Sequence, residues 1–208
     1  MKIKNTKNNK GFTLIEVMIS VGLFTVIMII GITAILGVNN TYRKSRSMRA
    51  AIDNLSFIME DMSRNIRLGY SYRCLDSIEV VPTEIEEPRD GFGCKGIAFE
   101  PFWDPVSGDS GDQVIYYIFE DPNTGIGSIF KSDAGGVDGS FSPMNSLNVD
   151  IDPIKSSFFI VGAESDSDFT QPFVAINLSG VASSSSQSTD FSLQTFVTQR
   201  LLDAPLNP

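Results

Sequence analysis

The chain contains no histidine among its 208 residues. That removes the commonest general base and the commonest transition-metal ligand. Ser-His-Asp and Cys-His catalysis are excluded with it. Carboxylate-only chemistry stays open, but no nucleophile or metal-ligand motif points to it. Cysteine is nearly absent as well, with only Cys74 and Cys94. Charge is missing from a long stretch, Gly11 to Val38, in which Glu16 is the one ionisable side chain. Basic residues are outnumbered 16 to 25, for a net charge of −9. Four of those bases, Lys2, Lys4, Lys7 and Lys10, stand in the first ten residues, which hold no acid. An acidic chain argues against nonspecific binding to nucleic acid, which needs Lys and Arg to displace counterions. Otherwise an acidic surface is the ordinary way to stay soluble.

What is present begins with the apolar run. Val17 to Val38 is an uncharged segment of 22 residues. At 1.5 Å per residue a helix of that length reaches about 33 Å, enough to cross a bilayer. A secretory signal peptide has a shorter apolar core followed by a small-residue cleavage site. Here the run is longer, and the small residue, Gly11, comes before it. A plain signal anchor explains the lysines and the run but not Glu16, because a carboxylate at membrane depth costs roughly 2.5–3.5 kcal/mol. The positive-inside tendency keeps the basic leader cytoplasmic and exports the remainder, although Arg43, Lys44, Arg46 and Arg49 after the run weaken the contrast. Gly22, Gly31 and Gly37 read either as packing glycines or as a place where the helix loosens.

The helical pattern then changes character. Met48, Ile52, Leu55, Met59, Met62 and Ile66 recur at spacings of 4, 3, 4, 3 and 4, one apolar stripe on an α-helix. The charged residues from Arg43 to Arg67 fall mostly off it, and Gly69 is the expected stop. One helix from Phe12 to about Leu68 is therefore expected, apolar all round in its first half and amphipathic in its second. The stripe is too short for a free coiled coil and is expected to pack on the chain's own sheet. In an exported body Cys74 and Cys94 read as a disulfide; the competing reading is two free thiols.

The segment Gly11-Phe12-Thr13-Leu14-Ile15-Glu16-Val17 resembles the processing site of type IV prepilins and type II secretion pseudopilins. The residue identities, the spacing, the basic leader and the apolar helix carry the resemblance together, and it is close over the first 40 or so residues. It implies cleavage after Gly11 by prepilin peptidase, methylation of the new N-terminal amine on Phe12, and a charge pair between Glu16 and that amine in a filament. A carboxylate snorkelling at the membrane edge is the alternative for Glu16. The stretches Met48–Leu55 and Met59–Arg67 resemble the long helix of J-type minor pseudopilins and W-type minor pilins. The expected organisation is a leader over 1–11, a transmembrane and assembly helix over 12–38, its amphipathic continuation over 39–68 and an exported β-rich body over 69–208. Implied partners are prepilin peptidase, other pilin or pseudopilin subunits, an inner-membrane assembly platform and the lipid bilayer. No cofactor and no enzymatic activity are implied.

The body reads as an α+β arrangement, an antiparallel sheet packed on the amphipathic half of the helix. Strands are expected over Ser77–Val81, Gly96–Phe99, Gln113–Glu120, Gly127–Lys131, Leu147–Ile151, Ser157–Val161, Pro172–Asn177 and Phe191–Gln199. Turn clusters separate them, and the serines of Ser183–Ser188 read as a flexible loop before the last strand. Asp104, Asp109 and Asp112 share a Gly/Ser-rich loop, and Asp166 and Asp168 form a second acidic pair. Such carboxylates can ligate calcium, and some pseudopilins do so, but neither cluster has EF-hand spacing and solvated turns are the ordinary reading. Trp103 with Phe92, Phe99 and Phe102 is an aromatic-rich group, expected in the core. A competence pseudopilus for DNA uptake and a membrane-anchored exported binding or adhesin protein are the alternative functions.

Overall fold

A computed structural model describes residues 11–76, 88–102, 111–137, 139–164, 171–184 and 187–200. The fold is α+β: one helix of 55 residues, α1 (Leu14–Leu68), and two antiparallel sheets. The chain divides after Ser45 into two units, which are described separately.

In the first unit every described residue from Gly11 to Arg43 is exposed. α1 crosses this unit with an apolar surface on all sides, which in water nothing would stabilise and in lipid costs nothing. Three hydroxyls interrupt the run, and each turns back on the helix. Ser20 Oγ donates to the Glu16 carbonyl at 2.8 Å, Thr25 Oγ1 to Gly22 at 2.8 Å and Thr33 Oγ1 to Ile29 at 2.8 Å. The polar groups in the run are thus satisfied inside the helix, as a hydrocarbon solvent requires.

In the second unit α1 becomes one-sided. Ala51, Leu55, Ile58, Met62 and Ile66 are buried, while Ile52 is 46% exposed and Met48 and Met59 are only partly covered. The buried face therefore lies to one side of the expected stripe, centred nearer Met62, with Ile58 and Ala51 in place of Ile52. A helix has 3.6 residues per turn, so both rows of apolar residues satisfy the spacing, and only the shape of the sheets selects between them. α1 ends at Leu68 as expected, but not through a left-handed glycine. Gly69 N donates to the carbonyls of Asn65 and Ile66 at 2.9 and 3.2 Å. A Cβ on Gly69 would come within 2.3 Å of Phe99 Cδ2, so this glycine permits close passage of the sheet. The left-handed residue is Ser71, at φ 53°.

The first sheet is formed by β1 (Tyr70–Leu75), β3 (Gly96–Glu100), β4 (Val114–Glu120), β5 (Gly127–Ser132) and β6 (Ser142–Pro143), in that order. The second has the order β10 (Gln187–Thr198), β9 (Phe173–Ser184), β8 (Ser157–Val161), β2 (Gly91–Cys94), with β7 (Val149–Ile151) pairing β9 as well. The expectation of a single sheet is corrected: there are two, and their inner faces share one core with α1. Phe99, Tyr116, Ile118 and Ile129 enter from the first sheet, and Phe158, Ile160, Val174 and Ile176 from the second. Each large apolar side chain so buried stabilises by about 1.5–3 kcal/mol.

Three strands lie outside the expected ones: β1, β2 and the two-residue β6, which stands where a turn cluster was expected and is held by β5. β1 follows the helix almost without a turn. β2 contains Gly91 and Gly93, poor strand formers, and exists because β8 supplies its hydrogen bonds and because Gly93, at φ 77°, accommodates a bulge between Phe92 and Cys94. The serine-rich loop is likewise corrected. Ser183 and Ser184 end β9, and Gln187 and Ser188 begin β10, opposite them in register. The Asn148 carbonyl accepts from Ser183 N at 2.7 Å, so pairing overrides low intrinsic preference. The strand expected over Ser77–Val81 lies outside the described residues.

Candidate functional site

The N-terminal site is built on the first turn of α1. Thr13 is the N-cap, and Glu16 stands at the third helical position. Glu16 Oε2 accepts from Thr13 N at 3.1 Å and from Thr13 Oγ1 at 3.0 Å, while Thr13 Oγ1 accepts from Glu16 N at 3.3 Å. This is a reciprocal capping box, in which two otherwise orphaned helix donors are satisfied. Thr13-x-x-Glu16 is a legible sequence signal for it, beyond the charge of Glu16 alone. The carboxylate also lies at the positive end of the helix dipole. The helix starts at Leu14, so Phe12 precedes it rather than beginning it, and Phe12 is 86% exposed. Among the described residues a Cβ on Gly11 would meet nothing within 4 Å. Gly22, Gly31 and Gly37 have equally open surroundings, so no contact among the described residues requires them to be glycine.

The body is fastened at two places. Cys74 of β1 and Cys94 of β2 form a disulfide with Cα atoms 5.5 Å apart and a separation of 20 positions in sequence. Because β1 belongs to the first sheet and β2 to the second, the bond ties the two sheets together. Gly91 makes room for it, since a Cβ there would come within 2.2 Å of Cys74 Sγ. The second fastening joins helix to sheet. Tyr116 Oη donates to Asp61 Oδ2 at 2.8 Å and accepts from Asn65 Nδ2 at 2.7 Å. Lys131 Nζ approaches Asp61 at 3.4 Å and Asp133 at 3.3 Å. Burial, foremost, pushes the Tyr116 hydroxyl far above its ordinary pKa, with the neighbouring carboxylate of Asp61 acting in the same direction. The phenol is therefore a permanent donor.

The remaining candidate residues do not converge. Of the calcium candidates, Asp104 and Asp109 lie outside the described residues, and Asp112 lies in the turn before β4; Asp166 and Asp168 are also outside. Among the described residues no three acidic or cysteine side chains gather as a metal would require. The aromatic group separates. Phe99 is buried between Tyr72 and Tyr116, with centroids at 6.0 and 6.1 Å, but Phe92 and Phe102 are 78% and 60% exposed. The core expectation therefore holds for Phe99 and is corrected for those two; Trp103 is outside the described residues. Phe99 lies on the core side of β3 in the first sheet, Phe92 on the outer side of β2 in the second, and Phe102 beyond the end of β3.

Residues 6–32 match the prokaryotic N-terminal methylation motif family, a type IV pilin-like motif. The matched segment contains Gly11, Phe12, Thr13 and Glu16. No curated protein and no solved structure matches the chain.

Proposed function

We propose that this chain is a minor subunit of a type IV pilus or type II secretion pseudopilus, most like a J-type minor pseudopilin or a W-type minor pilin. Prepilin peptidase cuts after Gly11, and Phe12 becomes the first residue with a methylated amine. Removing the four leader lysines leaves 12 basic against 25 acidic side chains, a net charge of −13. The leader stays on the cytoplasmic side of the inner membrane, residues 12–38 cross it, and the acidic body is exported. An inner-membrane platform then draws the helices into a filament beside other pilin subunits.

The observation that carries this reading is the state of Glu16. It lies inside the matched motif, and among the described residues its side chain is bound only by Thr13 of the same turn. Both bonds fall on Oε2, which leaves the other oxygen for an ammonium. Opposite charges in a low dielectric attract strongly and are each costly when unpaired. A Phe12 ammonium created by cleavage is a suitable partner, and pairing it with Glu16 of a neighbouring helix would set the axial register. The size of the body supports a minor position, since residues 69–208 exceed what a compact major pseudopilin carries.

Mass spectrometry of the mature protein from its native host tests the first step. The expected N-terminal residue is Phe12, carrying a methyl group; an intact leader, or cleavage beyond residue 38, would overturn the proposal. Glu16→Val tests the second. Cleavage is expected to persist while incorporation into filaments falls sharply, and normal incorporation would exclude the charge pair.

A further inference from the structure

Strand register assembles a row of side chains on the outer face of the second sheet, exposed at its two ends and, among the described residues, buried only at Ala175. Phe92 of β2 lies opposite Phe159 of β8, Phe159 opposite Ala175 of β9, and Ala175 opposite Phe196 of β10. The Phe92 and Phe159 rings meet edge to face at 6.4 Å, yet Phe92 is 78% and Phe196 63% exposed. The outer face of the first sheet is closed by contrast, with Ala98, Ile115 and Tyr117 buried beneath Phe119 and Phe141.

The row ends at an open edge. β10 pairs with β9 over all 12 residues, and among the described residues no other backbone hydrogen bond involves 187–198. Long edges are usually blunted by lysine, proline or a bulge. β10 has no Lys, Arg or Pro and no register shift. Asp190 lies on the same face as Phe196, six residues earlier. Beside Asp190 opens a cleft of about 520 Å³ that Glu120, Asp150 and Asp152 also line. Its one base, Lys155, is held by Asp152 at 3.0 Å and reaches Asp190 only as a weaker, longer-range charge.

We propose that the β10 edge accepts an extended antiparallel strand from a partner polypeptide, with a large apolar side chain opposite Phe196 and a Lys or Arg six residues further on opposite Asp190. Main-chain pairing would supply affinity, and the alternate side chains specificity. The order follows from geometry, because an antiparallel partner passes Phe196 before it reaches Asp190. A second copy of this chain does not fit: its own β10 offers no base to Asp190, and both copies are acidic. The inference stands on the body alone and is independent of leader processing.

The test uses the full chain in detergent micelles and a fluorescein-labelled peptide, Thr-Thr-Phe-Thr-Val-Thr-Val-Thr-Lys-Thr. Saturable binding by anisotropy is expected, with slowed amide exchange confined to β10. Replacing the peptide lysine by glutamate should weaken binding roughly three- to fivefold, the size of a cross-strand pair. Asp190→Lys should reverse that preference. Phe196→Ser should weaken both peptides by a similar factor. Both positions are exposed, and an unchanged melting temperature checks that the fold is intact. Equal binding of a peptide with its phenylalanine and lysine exchanged, or unchanged exchange in β10, would overturn the proposal. So would β10 protection that appears with chain concentration alone, assigning the edge to a second copy, or on transfer to phosphatidylcholine vesicles, assigning it to lipid.

Discussion

The two halves of α1 are one uninterrupted helix, yet opposite forces justify them. From Leu14 to Arg43 the helix is exposed on every side, and from Val17 to Val38 it is apolar on every side. From Met48 to Leu68 it is amphipathic, and Ala51, Leu55, Ile58, Met62 and Ile66 are sealed against two sheets. The first half is stable only where the solvent is itself apolar and the helix satisfies its own hydrogen bonds. The second is stable because it removes one apolar face from water. Identical local geometry thus serves two environments, and composition alone distinguishes them.

The most direct way to break this comparison is to make the same deletion in each half. Ile58→Ala should destabilise the body by about 2–5 kcal/mol, whereas Ile27→Ala should leave the body's melting unchanged. Thermal denaturation of both variants in detergent checks this, and equal effects would mean that the halves do not differ in packing. The next effect belongs to the body alone. Replacing Cys74 and Cys94 together by serine should cost about 3 kcal/mol, because a 20-residue loop is no longer closed in the unfolded chain. Urea titration measures it, and a thiol assay that found two reactive thiols in the native exported protein would contradict the bond.

A smaller effect probes the join between the packed half and the first sheet. Tyr116→Phe removes the donor to Asp61 and the acceptor for Asn65, and a loss of about 1–3 kcal/mol is expected for the groups left behind. No loss would show that the cluster adds position rather than stability. The smallest is a control at a distance from α1. The Lys155 bond, followed by the backbone N–H groups of Ile154 and Lys155, holds the Asp152 carboxyl below its ordinary pKa. A depressed carboxyl contributes stability above its unfolded pKa and loses it as pH falls through the folded value. The gap in stability between wild type and Asp152→Asn should therefore shrink once pH drops below about 3.9. A gap that widened there would reverse the sign.

Much of this was legible in the residues, and the exceptions share a cause. The end of α1 at Leu68, the apolar run and most strands rest on local periodicity, which needs no partner. The N-terminal motif is legible because identity and spacing, rather than packing, define it. Ile58 was missed and Ile52 misplaced because a helix offers two adjacent apolar rows, and only the contour of the sheets chooses one. β2 was missed because two glycines make a strand only when β8 and a disulfide are already there. The serine stretch was read as a loop because its partner in β9 is what makes it extended.

The sequence by itself determined the membrane-length helix, the position of Glu16 and the exclusion of histidine chemistry, since each depends on composition along a short segment. Tertiary structure alone decided which helical face is buried and that the body has two sheets. It alone placed the disulfide between them and left Phe92 and Phe196 exposed at the two ends of the Phe92–Phe159–Ala175–Phe196 row. Each of these depends on register between strands far apart in the chain, and register is set by how the whole core closes.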